Sequence, residues 1–224
     1  MRNNIGGFRL KRYSTRLFIA FLVCVGLGIL FGYLASMISD RSIDRFDASI
    51  IGAVQGLETP WLTKFMQFIT MLGWGYPVMI LSIGVLVYLL FVLNYRRQAF
   101  LFFVVVAATP FLNMVLKEYF QRERPTIHRI MEANGYSFPS GHSMIAFSFY
   151  SVLAYIFWKN VKSRNGRKML ALGSGLMILL IGISRIYLGV HFPSDVIGGF
   201  LASAIWVILA VATFRWLERQ RKTG

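Results

Sequence analysis

The stretch S-R-I-Y-L-G-V-H-F-P-S-D, residues 184–195, lies between two apolar runs that carry no charge. It gathers a cation (Arg185), an imidazole (His191) and a carboxylate (Asp195) at the mouth of an apolar segment. His191 and Asp195 stand four apart, about one helical turn, and Pro193 between them marks a helix start. One ring nitrogen can then be held by the carboxylate while the other faces a substrate. Taken alone, the stretch equally fits a solvated loop between two membrane segments, so its surroundings decide.

Those surroundings are too apolar for an ordinary soluble domain. Of 224 residues, 56% are hydrophobic and 16% aromatic, against roughly 45–50% apolar in typical globular chains. Residues 17–38 hold no charge at all, and apolar runs follow at 77–93, 99–116, 143–158, 169–184 and 196–214. A helical crossing of a bilayer needs about 20 such residues. The reading is an all-α polytopic membrane bundle: six transmembrane helices, short interfacial helices, and one membrane domain over residues 1–224. The first run follows a basic, acid-free segment (residues 1–16). It is too long for the h-region of a cleaved signal, about 7–15 residues, and reads as an uncleaved helix.

Between the first two spans, residues 39–76 are amphipathic. Ile43, Phe46, Ile50, Val54 and Leu57 recur at helical spacing, Pro60 interrupts them, and Leu62, Phe65, Met66 and Ile69 begin a second piece. A connector lying on the membrane surface is the simpler reading of residues 40–72; a lid or lipid guide is the other. Gly73 to Pro77 reads as a turn with interfacial aromatics. Pro110 and Asn113 suggest a kink inside the bundle. Ala171 and Gly175, and Gly198, Gly199 and Ala202, read as close-packing positions between helices. The lone Cys24 sits in an apolar run and reads as packing.

Six spans put both termini on one side. Sixteen of the 24 Lys and Arg residues fall there with one acid, Glu218, while eight basic and eight acidic residues fall on the other side. The net charge of +15 thus marks the cytoplasmic face by the positive-inside rule. No basic patch interleaved with aromatics remains for nucleic acid.

Three clusters are expected on the extracytoplasmic face: Lys117 with Arg124-Pro125, Pro139-Ser140-Gly141-His142, and Ser184-Arg185 with His191 and Asp195. The last pattern alone arises by chance in roughly one chain of this length in a thousand. Three cations can neutralise a dianionic phosphoryl group, Arg by a forked pair of bonds. Lys117 and Arg124, seven apart, would share one face of a continuous helix. Ser140 and Gly141 precede a helix whose free N–H groups favour an anion, and His191 precedes another. Neutral His191 can attack phosphorus while Asp195 fixes its tautomer, and His142 can give the leaving oxygen a proton. The surrounding cations disfavour a divalent metal, and no cofactor is implied. His128 falls outside every cluster and reads as a surface residue or a headgroup contact.

These clusters, K-x6-RP, PSGH and SR-x5-H-x3-D over residues 117–195, resemble the signatures of the type 2 phosphatidic acid phosphatase superfamily at every position. The resemblance implies a helical bundle, a phosphohistidine intermediate, metal-independent hydrolysis and a lipid phosphate substrate. Phosphatidylglycerol phosphate is the preferred substrate, with undecaprenyl diphosphate or phosphatidic acid as alternatives and lipid transport as a non-enzymatic one. Spans of about 16 residues at 143–158 and 169–184 would set the site near headgroup depth, open to the outer leaflet.

Overall fold

Three of the helices begin where the sequence supplies a side-chain cap. A computed structural model describes residues 3–126 and 128–223. Arg2 lies outside the described residues, as do the side chains of Arg9, Lys11, Arg12 and Arg16, so the basic N-terminal segment is not tested by it.

The order is α1 (Asn3–Ser39), α2 (Asp44–Gln55), α3 (Pro60–Met71), α4 (Gly75–Val87, extended by a π turn over Tyr88–Val92), α5 (Arg96–Phe120), α6 (Gly141–Phe157), α7 (Arg164–Tyr187) and α8 (Pro193–Thr223). Thr59 caps α3 through the Leu62 N–H, with Pro60 at the first helical position, where its missing N–H removes nothing. Ser140 and Ser163 cap α6 and α7 in the same way, accepting from Ser143 and Gly166. Among the described residues there is no strand.

Among the described residues, five helices are long and apolar enough to cross a membrane: Leu17–Ser39, Gly75–Val92, Arg96–Phe120, Arg164–Tyr187 and Pro193–Arg221. The fourth expected span, α6, has only 17 residues. It is also the most enclosed, packed against α5, α7 and α8 at once, with Met144, Ala146, Ser148, Val152 and Ile156 all buried. The other helices turn large apolar side chains outward, Phe91 at 76% and Leu172 at 72% exposure among them. Such a surface is tolerated only in lipid. This is a multi-pass membrane protein with a short central helix.

Several expectations need correcting. The fifth span is 24 residues, not about 16, because α7 starts at Arg164, behind its Ser163 cap, and continues through Ser184 to Tyr187. Ala171 and Gly175 do not make a close helix seam. A Cβ on Gly175 would meet nothing within 4 Å, whereas one on Gly182 would lie 2.7 Å from Val196 and 2.8 Å from Phe200. The tight approach of α7 to α8 is therefore at Gly182, one turn from the loop. Gly198 and Gly199 do pack closely, against Phe138 and the Ser140 carbonyl. Pro110 is accommodated within a continuous α5, and Asn113 spends its amide on the Pro139 carbonyl (2.9 Å) and Met144 (3.2 Å).

The surface segment departs furthest from expectation. Helices α2 and α3 form as the pattern predicts, and Phe46 and Leu57 of the apolar face are exposed, as expected of a segment lying on a membrane surface, but the buried side chain of α2 is Asp47. On α3 the buried residues are Met66, Ile69 and Thr70. A plain connector would bury no carboxylate and no hydroxyl at 1% exposure.

Candidate active site

Two helix N-termini converge because their backbones are joined directly. The Ser140 N–H donates to the Asp195 carbonyl at 3.0 Å, so the starts of α6 and α8 are held side by side. Gly199 permits this approach, since a Cβ there would stand 2.9 Å from the Ser140 carbonyl. Both helices aim partial positive charge at the same place.

His191 is 2% exposed and Asp195 is fully buried. The ring Nδ1 faces Asp195 Oδ2 at 3.3 Å, and Phe192 N–H donates to the same oxygen at 2.9 Å. The Nε2 atom meets the Arg124 guanidinium at 3.2 Å. A guanidinium can only donate, so Nε2 carries the lone pair and Nδ1 the proton given to Asp195. Burial, then the Arg185, Arg124 and Lys117 charges, hold the imidazole well below its ordinary pKa.

Arg124 reaches this position by a different route from the one expected. Helix α5 stops at Phe120, where Gln121 turns left-handed (φ 47°) and closes onto the Lys117 carbonyl. Lys117 and Arg124 are thus on a helix end and in the loop beyond it, not on one helical face. They meet the site nonetheless. Lys117 Nζ donates to the Tyr136 carbonyl. Arg124 is braced by the carbonyls of Val190 (2.8 Å), Gly135 (2.9 Å) and Asn134 (3.0 Å).

Arg185 is 3% exposed; one terminal nitrogen donates to Thr70 Oγ1 of α3 at 2.7 Å, while its Nε meets no protein acceptor. A buried guanidinium N–H without a protein partner suits an anion. Ser140 accepts from both the Ser143 N–H (3.4 Å) and the Ser143 hydroxyl (3.0 Å), so its own hydroxyl proton is not used by either bond. His142 lies within electrostatic reach of Arg185, His191, Lys117 and Arg124. Its ring stacks on Trp74 at 5.3 Å and 18°. All eight expected site residues, Lys117, Arg124, Ser140, Gly141, His142, Arg185, His191 and Asp195, therefore lie at one end of the bundle.

Trp74 also lines a groove of about 550 Å³ between α4 and α5, walled by Met79, Phe102, Phe103 and Pro110. His128 stays outside, half exposed, paired with Glu58 at 2.5 Å.

Sequence reasoning missed four residues around this site: Asp47, Thr70, Trp74 and Arg122. The only trace available was a carboxylate interrupting an amphipathic face, and a surface helix carries such interruptions routinely.

Residues 98–219, the segment holding all eight expected site residues, match the PAP2 superfamily. The chain belongs to it. This PAP2 protein is 36% identical over 201 residues to phosphatidylglycerophosphatase B of Bacillus subtilis (strain 168), covering 88% of this chain and 98% of that one. It is 34% identical over 114 residues to the putative undecaprenyl-diphosphatase YbjG of Escherichia coli (strain K12), about half of each chain. The crystal structure of a transmembrane PAP2-type phosphatidylglycerolphosphate phosphatase from Bacillus subtilis superposes with a TM-score of 0.78 at 34% identity, covering 85% of this chain and 94% of that one. Aquifex aeolicus LpxE superposes at 0.59 and 27% identity, covering 73% and 93%. As a PAP2 member with these relatives, the protein is a membrane lipid phosphatase.

Proposed function

We propose that this phosphatase hydrolyses the phosphomonoester of phosphatidylglycerol phosphate at the extracytoplasmic face, through a phosphohistidine on His191. The observation that carries the chemistry is the His191 ring, its Nδ1 on Asp195 and its Nε2 lone pair facing a pocket of three cations. The substrate is argued from the Bacillus subtilis relative, which this chain matches over 98% of that protein's length.

In the first step Nε2 attacks phosphorus, forming a P–N bond as the ester P–O bond breaks. The leaving alkoxide takes a proton from His142, and Asp195 stabilises the charged His191 ring. In the second step water attacks phosphorus and gives a proton to His142, the P–N bond breaks, and inorganic phosphate leaves with His191 restored. Lys117, Arg124 and Arg185, with the N–H groups and hydroxyl at Ser140 and Gly141, hold the equatorial oxygens as charge builds. The groove beside Trp74 suits the apolar part of a lipid. The orientation rests on the sixteen Lys and Arg residues assigned to the opposite side. The match to a putative undecaprenyl-diphosphatase favours undecaprenyl diphosphate as the second reading of the substrate.

Phosphate release by the purified protein from phosphatidylglycerol phosphate, undecaprenyl diphosphate and phosphatidic acid, with and without chelator, tests this. Hydrolysis should be fastest with the first, survive chelation, and fall by 10³-fold or more in His191→Ala. Preference for the diphosphate would replace the substrate, loss with chelator would replace the mechanism, and an active His191→Ala would remove the nucleophile.

A further inference from the structure

Arg122 is absent from every motif above, yet it touches the catalytic carboxylate. One terminal nitrogen donates to Asp195 Oδ1 at 2.7 Å and the other to Asp47 Oδ2 at 2.9 Å. The guanidinium carbon lies over the Phe192 ring, 4.1 Å from its centroid. Asp47, 1% exposed, is fixed in turn by the start of α8: Ser194 N–H donates to Oδ1 at 2.9 Å and Ser194 hydroxyl to Oδ2 at 2.6 Å. The Ser194 oxygen also accepts from Arg122 at 2.7 Å. Four side chains, Asp47 of α2, Arg122 of the loop after α5, and Ser194 and Asp195 of α8, thus close into one network.

Two physical consequences follow from the fork's division between carboxylates. A guanidinium facing Asp195 alone could take both of its oxygens, drawing Oδ2 away from His191 and the Phe192 N–H. With its second nitrogen held by Asp47, Arg122 has one bond to give Asp195, at Oδ1, and Oδ2 stays on the imidazole. The charge balance also changes. One cation between two carboxylates leaves the group net negative, so Asp195 can offset the positive ring formed when His191 is phosphorylated. Without Asp47, Arg122 would cancel Asp195.

We propose that Asp47 and Arg122 are positioning residues for the phosphoryl transfer: Asp47, from the surface helix α2, holds Arg122 to a single bond on Asp195 and so keeps the second carboxylate oxygen and the net negative charge for His191. This rests on the active-site reading above and extends it to a segment outside the signature motifs.

The test uses full-length protein in detergent micelles with dioctanoyl phosphatidic acid as the probe. Asp47→Asn, similar in shape, should lower kcat at least tenfold with KM within about threefold, since substrate binds to other groups. Asp44→Asn, an exposed change one turn back on α2, should match the wild type. In an Asp195→Asn background, Asp47→Asn should add less than twofold, because its effect passes through that carboxylate. If Asp47→Asn does not fold, Arg122→Lys decides: it keeps the charge but has no fork to span two carboxylates, and should show the same kcat-selective loss. A wild-type kcat in the folded variant, a loss confined to KM, or full multiplication of the losses in the double variant would overturn the proposal. Wild-type protein that releases no phosphate from this probe or from phosphatidylglycerol phosphate or undecaprenyl diphosphate would refute the active-site reading instead, before any variant is compared.

Discussion

At His191 the environment decides which form of the ring is present. Burial with three cations favours the neutral imidazole, the form that the proposed attack on phosphorus requires. The sign for stability follows from the same shift. An unfolded histidine takes up its proton near pH 6.5, whereas the folded one resists it. Folding free energy is therefore greatest above that value and declines as the pH falls through the window below it. A carbon-13 histidine NMR titration, with the signal assigned by its loss in His191→Gln, should find His191 still neutral at pH 6. A midpoint near 6.5 would contradict the electrostatics. Asp195 cannot be judged from its sequence neighbours alone. Its spacing to His191 was legible at i,i+4, but its second partner, Arg122, lies 73 positions away and came with no local pattern.

Among the elements, periodicity and caps did most of the work. Helix starts at Pro60, Gly141 and Arg164 each follow a capping residue that can be read directly, and α8 opens on Pro193 itself. The length of α7 and the break after Phe120 could not be, because Gln121 is no ordinary left-handed terminator. Nor could the inward turn of Asp47, since an amphipathic pattern assigns acids outward unless their partners are known. Helix packing gives a paired prediction. A methyl on Gly198 would stand 2.3 Å from the fully buried Phe138 ring, whereas one on Gly175 meets nothing within 4 Å. Gly198→Ala should cost about 1–3 kcal/mol, read as a lower thermal midpoint in detergent. Gly175→Ala should leave that midpoint unchanged or slightly raised, by the gain in helix propensity. Equal midpoints for the two variants would mean that α8 does not press against the Phe138 loop.

For the molecule as a whole, orientation is the property that charge counting predicts most sharply. With Cys24 replaced by alanine, a cysteine at Lys162 should resist a membrane-impermeant maleimide in intact cells, while one at Glu132 should react. Labelling of position 162 from outside would invert the molecule and put the phosphate site on the cytoplasmic leaflet. The same scale explains why the short α6 could be mistaken for a marginal span. It is flanked by α5, α7 and α8, so neighbouring helices, not lipid, surround most of it.

The order in which the chain supplies its parts has a consequence for synthesis. Asp47 and Thr70 are made early, Lys117, Arg124 and His142 next, and Arg185, His191 and Asp195 with the last two helices. A chain halted after α6 would possess the centre of the bundle but lack the proposed nucleophile. On that reading hydrolytic competence arrives only when the start of α8 docks beside α6 and onto Asp47, and until then a growing molecule is chemically inert toward the lipids around it.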